Sequence, residues 1–170
     1  VLTASATVKR FALEGVTVGH ATDVQGGTGV TVVLFERPAI GAVDVTGPAT
    51  SSRQVDSLDM MHPGSAVHAV CLAGGSAFGL DAGTGVARFL EERGRGFDFV
   101  VAKLPTVPTA VIFDLSFMSA AARPDASMAY EACLRASPAP VEQGCVGAGT
   151  GATAGKIRGV SCATKAGLGS

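Results

Sequence analysis

The stretch Cys71-Leu72-Ala73-Gly74-Gly75-Ser76-Ala77-Phe78-Gly79-Leu80-Asp81-Ala82-Gly83 constrains the fold more than any other part of the chain. The apolar run that leads into it, Ala66–Ala73, has the length of a buried strand. Gly74 and Gly75 then allow a sharp turn or the close approach of another group. Ser76 stands where a helix N-cap belongs. Phe78, Ala82, Val86, Phe89 and Leu90 recur at helical spacing, and Gly94 follows Glu91-Glu92-Arg93 as a terminator. The sequence therefore predicts strand, glycine turn, helix. Such a turn aims backbone N–H groups at one point, which suits a developing oxyanion or another anionic group.

Elsewhere the pattern is of short strands with at least one more helix. Residues 1–14 read as a lead-in strand, and 16–20 alternate as a half-buried strand does. Residues 21–27 form a polar, glycine-containing turn, and the β-branched run 28–35 reads as its antiparallel partner. A third strand is expected over 40–45, then a long polar connection over 49–63. Strands are expected at 97–101 and 109–113, and a turn at 119–125. Asp125 is placed to cap a helix over 126–136, with Met128, Ala132 and Leu134 as its apolar face and Ser137-Pro138-Ala139-Pro140 as its end. Residues 144–155 are rich in glycine, and 157–165 show no helical period. The sum is an α/β (α+β) layering of sheets covered by helices.

At 170 residues the chain fits a single domain, 1–170, with a real core. Charged residues are only 16% against 47% hydrophobic, where about 25% charged is usual. So little charge points to surface covered by other chains. The net charge of -1 offers nothing to nucleic acid or an anionic membrane. No apolar run reaches the roughly 20 residues of a membrane span, and the N-terminus lacks a secretion signal, so a cytoplasmic setting is expected. Cys71, Cys133, Cys145 and Cys162 match no zinc spacing. Reduced thiols are expected, with Cys71 a small buried hydrophobe.

Three familiar motifs fail. The run ending at Gly155-Lys156 has Thr150 and Ile157 where a phosphate loop needs glycine and a hydroxyl. Gly147, Gly149 and Ala152 fit a loose dinucleotide pattern, without a surrounding βαβ unit. Gly74-Gly75-Ser76-Ala77-Phe78 nearly forms a serine-hydrolase elbow, but Phe78 takes the second glycine position. Ser76 is thus read as a helix cap ahead of a nucleophile. His68 reads as a packed histidine within its strand and His20 as structural, and His62 has no evident acidic partner.

The glycine turn also resembles that of the L-aminopeptidase/D-esterase (DmpA-type) family, which includes β-peptidyl aminopeptidases and nylon-oligomer hydrolases. The resemblance extends, in order, through Gly15-Val16-Thr17-Val18-Gly19-His20-Ala21-Thr22-Asp23, Val107-Pro108-Thr109-Ala110-Val111-Ile112-Phe113-Asp114-Leu115, Arg123-Pro124-Asp125, the segment from Gln143 to Lys156, and Lys165-Ala166-Gly167-Leu168-Gly169-Ser170. It implies a four-layer αββα sandwich and a precursor that cuts itself once. The new N-terminal Ser or Thr of the second fragment would be the nucleophile, with its own α-amine as base. These 170 residues would be most of the first, larger fragment. The implied activity is aminopeptidase or amidohydrolase action on short peptides, amides or esters. A homo-oligomer of the two-fragment unit is implied, and no metal or organic cofactor. Gly74, Gly75, Ser76, Ala77 and Phe78 would line the oxyanion and substrate pocket. Phe78 falls where some relatives place a tyrosine, and it has no hydrogen to donate. Lys156 matches a lysine near the nucleophile of nylon-oligomer hydrolases, the other reading being a solvated lysine after a loop. A ligand-binding relative without catalysis and an acyltransferase of the ornithine-acetyltransferase type are the alternatives.

Overall fold

The computed structural model describes residues 13–48, 51–62, 64 and 66–169; the lead-in strand expected over 1–14 falls almost wholly outside them. The strands are β1 (Val16–Asp23), β2 (Thr28–Ile40), β3 (Ser52–Arg53), β4 (Ala66–Ala73), β5 (Phe97–Asp98), β6 (Lys103–Leu104), β7 (Thr109–Val111), β8 (Thr153–Ala154) and β9 (Thr164–Lys165). The helices are α1 (Ala82–Glu91) and α2 (Ala126–Leu134), with short 3-10 turns between elements. One sheet has the order β1-β2-β4-β7-β3, antiparallel except for the parallel pair β4–β7.

Alternation along the strands decides what each face meets. Val30, Val32 and Leu34 of β2 and Ala69, Cys71 and Ala73 of β4 join one buried cluster with Ala82, Val86, Phe89 and Leu90 of α1 and Ala129, Ala132 and Cys133 of α2. Each large side chain fully buried here contributes roughly 1.5–3 kcal/mol. The helices sit close because the contacts are made by glycine. A Cβ on Gly85 would lie 1.9 Å from the Ala126 carbonyl oxygen, and one on Gly19 would lie 2.0 Å from that of Ala132. The opposite face carries a half-buried valine row, Val18, Val33 and Val70, paired across β1, β2 and β4. The described residues thus supply a helical layer and a sheet whose second face is also apolar, as a sandwich of two sheets requires.

Several expectations are met. Asp125 caps α2, its Oδ1 accepting the Met128 N–H at 2.8 Å. Gly94 closes α1 at φ +66, with the Gly94 N–H on Glu91 O and the Arg95 N–H on Leu90 O. His68 is packed, 4% exposed, and Cys71 is buried, which pushes its thiol up to about 12.

Others are corrected. No separate strand covers 40–45: β2 runs to Ile40 through an irregularity between Leu34 and Ala39. At Gly41 a Cβ would lie 2.5 Å from Val67. The strand expected over 97–101 shrinks to Phe97–Asp98. Asp98 Oδ1 accepts the Val100 N–H at 2.9 Å, and Val100 turns at φ +71. The buried face of α2 is Ala129, Ala132 and Cys133, whereas Leu134 is exposed. Small residues win that face because the helix packs directly against the backbone of Gly19.

Candidate active site

Strands β4 and β7 run in parallel and end together. Beyond them the Gly74 N–H donates to Gly29 O at 2.9 Å, and the Ser76 N–H to Ile112 O at 3.0 Å. Gly75 turns at φ +80 and Ser76 at φ +54. Ser76 is therefore not a helix cap: it opens a 3-10 turn, Ser76–Asp81, with no side-chain capping bond, and α1 starts only at Ala82. Left-handed backbone at Ser76 is incompatible with the extended geometry of a cap.

The residue that shapes this turn is Asp114, 3% exposed. Its Oδ1 accepts the Gly75 N–H at 2.6 Å, and its Oδ2 accepts the Thr28 hydroxyl at 2.6 Å. Gly74 has to be glycine, since a Cβ there would lie 2.0 Å from Asp114 Oδ2. Gly151, in the second glycine-rich segment, abuts the same carboxylate, where a Cβ would lie 2.5 Å from Asp114 Cβ. Asp114 is thus the point at which the two glycine segments meet. Because the Gly75 and Ser76 N–H groups are engaged, the N–H left ahead of the first turn-closing bond is that of Ala77. Ala77 and Phe78 are exposed.

The glycine-rich segment lies against the second face of the sheet. The Gly147 N–H donates to Thr22 Oγ1 at 2.8 Å and the Ala148 N–H to Thr31 Oγ1 at 3.0 Å. The Thr31 hydroxyl is also hydrogen-bonded to His20 Nδ1 at 3.0 Å, with the direction set by the imidazole tautomer. The other ring nitrogen, Nε2, is buried without a partner among the described residues. Burial lowers the His20 pKa, the charge of Glu142 partly opposing it. His20 therefore orients Thr31 and, through it, the turn Gly147–Gly149. A pocket of about 170 Å³ opens beside this turn, between Ala73, Val111 and Ile112 on one side and Ala148, Gly149 and Leu168 on the other.

Two lysines follow. Lys156 is half-buried, and its Nζ donates to Thr153 O at 2.6 Å. Lys165 opens the closing motif Lys165–Gly169. Its Nζ donates to Gly149 O at 3.1 Å, to Ala152 O at 3.2 Å and to Ala166 O, and so it ties β9 to the glycine-rich segment.

Residues 12–167 match peptidase family S58. The chain belongs to this family. It is 43% identical over 162 residues to an uncharacterized aminopeptidase of Mycobacterium leprae, covering 86% of this chain and 45% of that protein. It is 39% identical over 151 residues to a 6-aminohexanoate-oligomer endohydrolase of Paenarthrobacter ureafaciens, covering 87% and 39%. The fold matches the L-aminopeptidase D-Ala-esterase/amidase of Ochrobactrum anthropi, described as a variant of the Ntn hydrolase fold, with TM-score 0.68 and 18% identity over 82% of this chain and 42% of that one. A β-aminopeptidase of Burkholderia sp. matches with TM-score 0.61 and 19% identity, over 84% and 43%. The chain spans less than half the length of each of these proteins. The α/β fold is therefore that of this Ntn-hydrolase-fold variant.

Among the residues of the sequence motifs, the structure gathers Gly74, Gly75, Asp114 and Gly151 into one contact. Lys156 lies five residues beyond that contact, on the same segment. Sequence reasoning gave no role to Asp114 or Thr28. The available signal was an acid directly after an apolar strand run, Val111-Ile112-Phe113-Asp114. No helix among the described residues is long and apolar enough to cross a membrane.

Proposed function

We propose that this chain is the larger-fragment portion of a self-processed amide hydrolase that releases N-terminal residues from short peptides, amides or esters. The observation that carries the reading is the S58 match along nearly the whole chain. The nucleophile, an N-terminal Ser or Thr, comes from a second fragment of the same gene product, whose sheet covers the valine row Val18, Val33 and Val70. Its α-amine, near pKa ~8 when unperturbed, takes the hydroxyl proton as oxygen attacks the carbonyl carbon. Lys156 approaches that amine and depresses its pKa by like-charge repulsion, which keeps it a free base. The Ala77 N–H is one donor to the oxyanion that forms, while Gly74, Gly75, Ser76 and Phe78 shape the wall on that side. The exposed Phe97, Phe99, Val100 and Val101 around the β5–β6 turn fit burial between copies of the two-fragment unit.

Lys156→Ala in the full gene product tests the role of the lysine. Its Nζ bonds to the backbone carbonyl of Thr153, three residues away, and the side chain is only half-buried, so stability should change by less than about 1 kcal/mol. Turnover of a short peptide amide should fall by roughly a hundredfold or more, with the pH profile moved toward alkaline pH. An unchanged rate and profile would remove Lys156 from the mechanism.

A further inference from the structure

Arg123 has a geometry that the proposed chemistry leaves unexplained. Its guanidinium carbon lies 3.6 Å from the centroid of the Phe78 ring, directly beside the glycine turn. Two other arginines stack on rings, and both also meet a carboxylate. Arg88 lies 4.7 Å from the Tyr130 centroid and 3.9 Å from Glu92. Arg93 lies 3.6 Å from the Phe89 centroid and 3.7 Å from Glu92. Arg123 forms no ion pair among the described residues. Its Nε donates to Ala120 O at 3.0 Å, which fixes the plane and leaves the two outer nitrogens for another acceptor.

The surroundings hold this arrangement in place. Pro124, which follows, is fully buried and packs on Gly75, where a Cβ would lie 2.9 Å from the proline Cδ. Arg123 is therefore tied to the turn twice, through its own stacking and through Pro124. Two acids lie at the start of α2, where Asp125 accepts the Met128 N–H and Asp81 the Ala126 N–H, and neither forms an ion pair with Arg123. Phe78 is 54% exposed, so the platform faces open space. A guanidinium held flat on an aromatic ring presents its fork to a planar anion, above all a carboxylate.

We propose that Arg123 on its Phe78 platform receives the C-terminal carboxylate of the substrate, so that the preferred substrates are short peptides or amino-acid oligomers with a free acid end. This rests on the proposed hydrolase reading, in which the Gly74–Phe78 turn lines the substrate pocket. It makes Arg123 a specificity residue and the Phe78 ring its platform.

The test uses the full, processed gene product and two alanine dipeptides, one a free acid and one its C-terminal amide. The free acid should be cleaved with kcat/KM roughly tenfold above the amide, mostly through KM. Arg123→Met, which keeps much of the stacking stem, should bring the acid-to-amide ratio of kcat/KM down to about one, mostly through a higher KM for the acid. Arg123→Lys should fall between. Raising the salt should narrow the preference in the wild type only. An acid-to-amide ratio equal in wild type and Arg123→Met would overturn the proposal. If neither dipeptide is cleaved, the hydrolase reading is in error. Calorimetry then decides about Arg123 separately, with the acid and the amide of a dipeptide analogue whose scissile amide is reduced to CH2–NH. Tighter binding of the acid, lost in Arg123→Met, supports the carboxylate receptor, and equal binding refutes it.

Discussion

Asp114→Ala is expected to lower the melting temperature by about 10 °C. The carboxylate is buried, and both oxygens accept, from the Gly75 N–H and from the Thr28 hydroxyl. Removing it strands two buried donors at about 1–3 kcal/mol each. A domain of this size loses roughly 2–4 °C per kcal/mol. The loss is large against a total stability of about 5–15 kcal/mol. Asp114→Asn keeps an oxygen for Gly75, and its amide N–H can donate to the rotated Thr28 hydroxyl, so it should cost well under half as much. Thermal unfolding of the three proteins checks this. An unperturbed melting temperature in Asp114→Ala would mean that the turn holds its shape without the carboxylate. Activity should fall further than stability in both variants, because Ser76, Ala77 and Phe78 hang from the Gly75 anchor.

The second large effect sets local propensity against packing. Gly85 lies inside α1, where alanine is intrinsically better by about 1 kcal/mol. Yet a Cβ there would lie 1.9 Å from the Ala126 carbonyl oxygen, a backbone atom at the start of α2. The helices must separate by more than 1 Å to admit it, as a Cβ–oxygen contact needs roughly 3.4 Å. Such overpacking costs about 1–3 kcal/mol and occasionally more. Gly85→Ala should therefore destabilise by about 2–3 kcal/mol despite the better helix former, measured by denaturant unfolding. Gly64→Ala is the control, since a Cβ there meets nothing within 4 Å among the described residues. A neutral or stabilising Gly85→Ala would mean that the α1–α2 contact is looser than described.

Much of this architecture is legible in the residues themselves. The β1–β2 hairpin follows from alternation over 16–20, a polar turn and a β-branched run, and α2 from the Asp125 cap. Gly94 ends α1 because only an easily left-handed residue closes that motif at φ +66. What escaped depends on contacts between distant parts of the chain. Ser76 has the residue type of a cap, but the bond between Gly75 and Asp114, 39 residues on, sets a different backbone. The Thr28–Asp114 bond spans 86 residues, and no local pattern foretells it. The run 97–101 is apolar enough for a strand, yet Asp98 turns it by a local side-chain bond. On α2 Ala132 is buried and Met128 packs against the core, but Leu134 is exposed, because hydrophobicity alone favours it while space beside Gly19 admits only small residues. The candidate site was legible as a set of motifs. Its centre, Asp114, was legible only as one letter within them.

The measurement that tests the central claim most directly is intact mass spectrometry of the denatured full gene product, with N-terminal sequencing of every species. Two polypeptides are expected, one containing the residues described above and the other beginning with Ser or Thr. That terminal residue would be the nucleophile. A gene product that remains one uncut polypeptide while hydrolysing peptides would contradict the account, because the chemistry would then need no freed N-terminal amine.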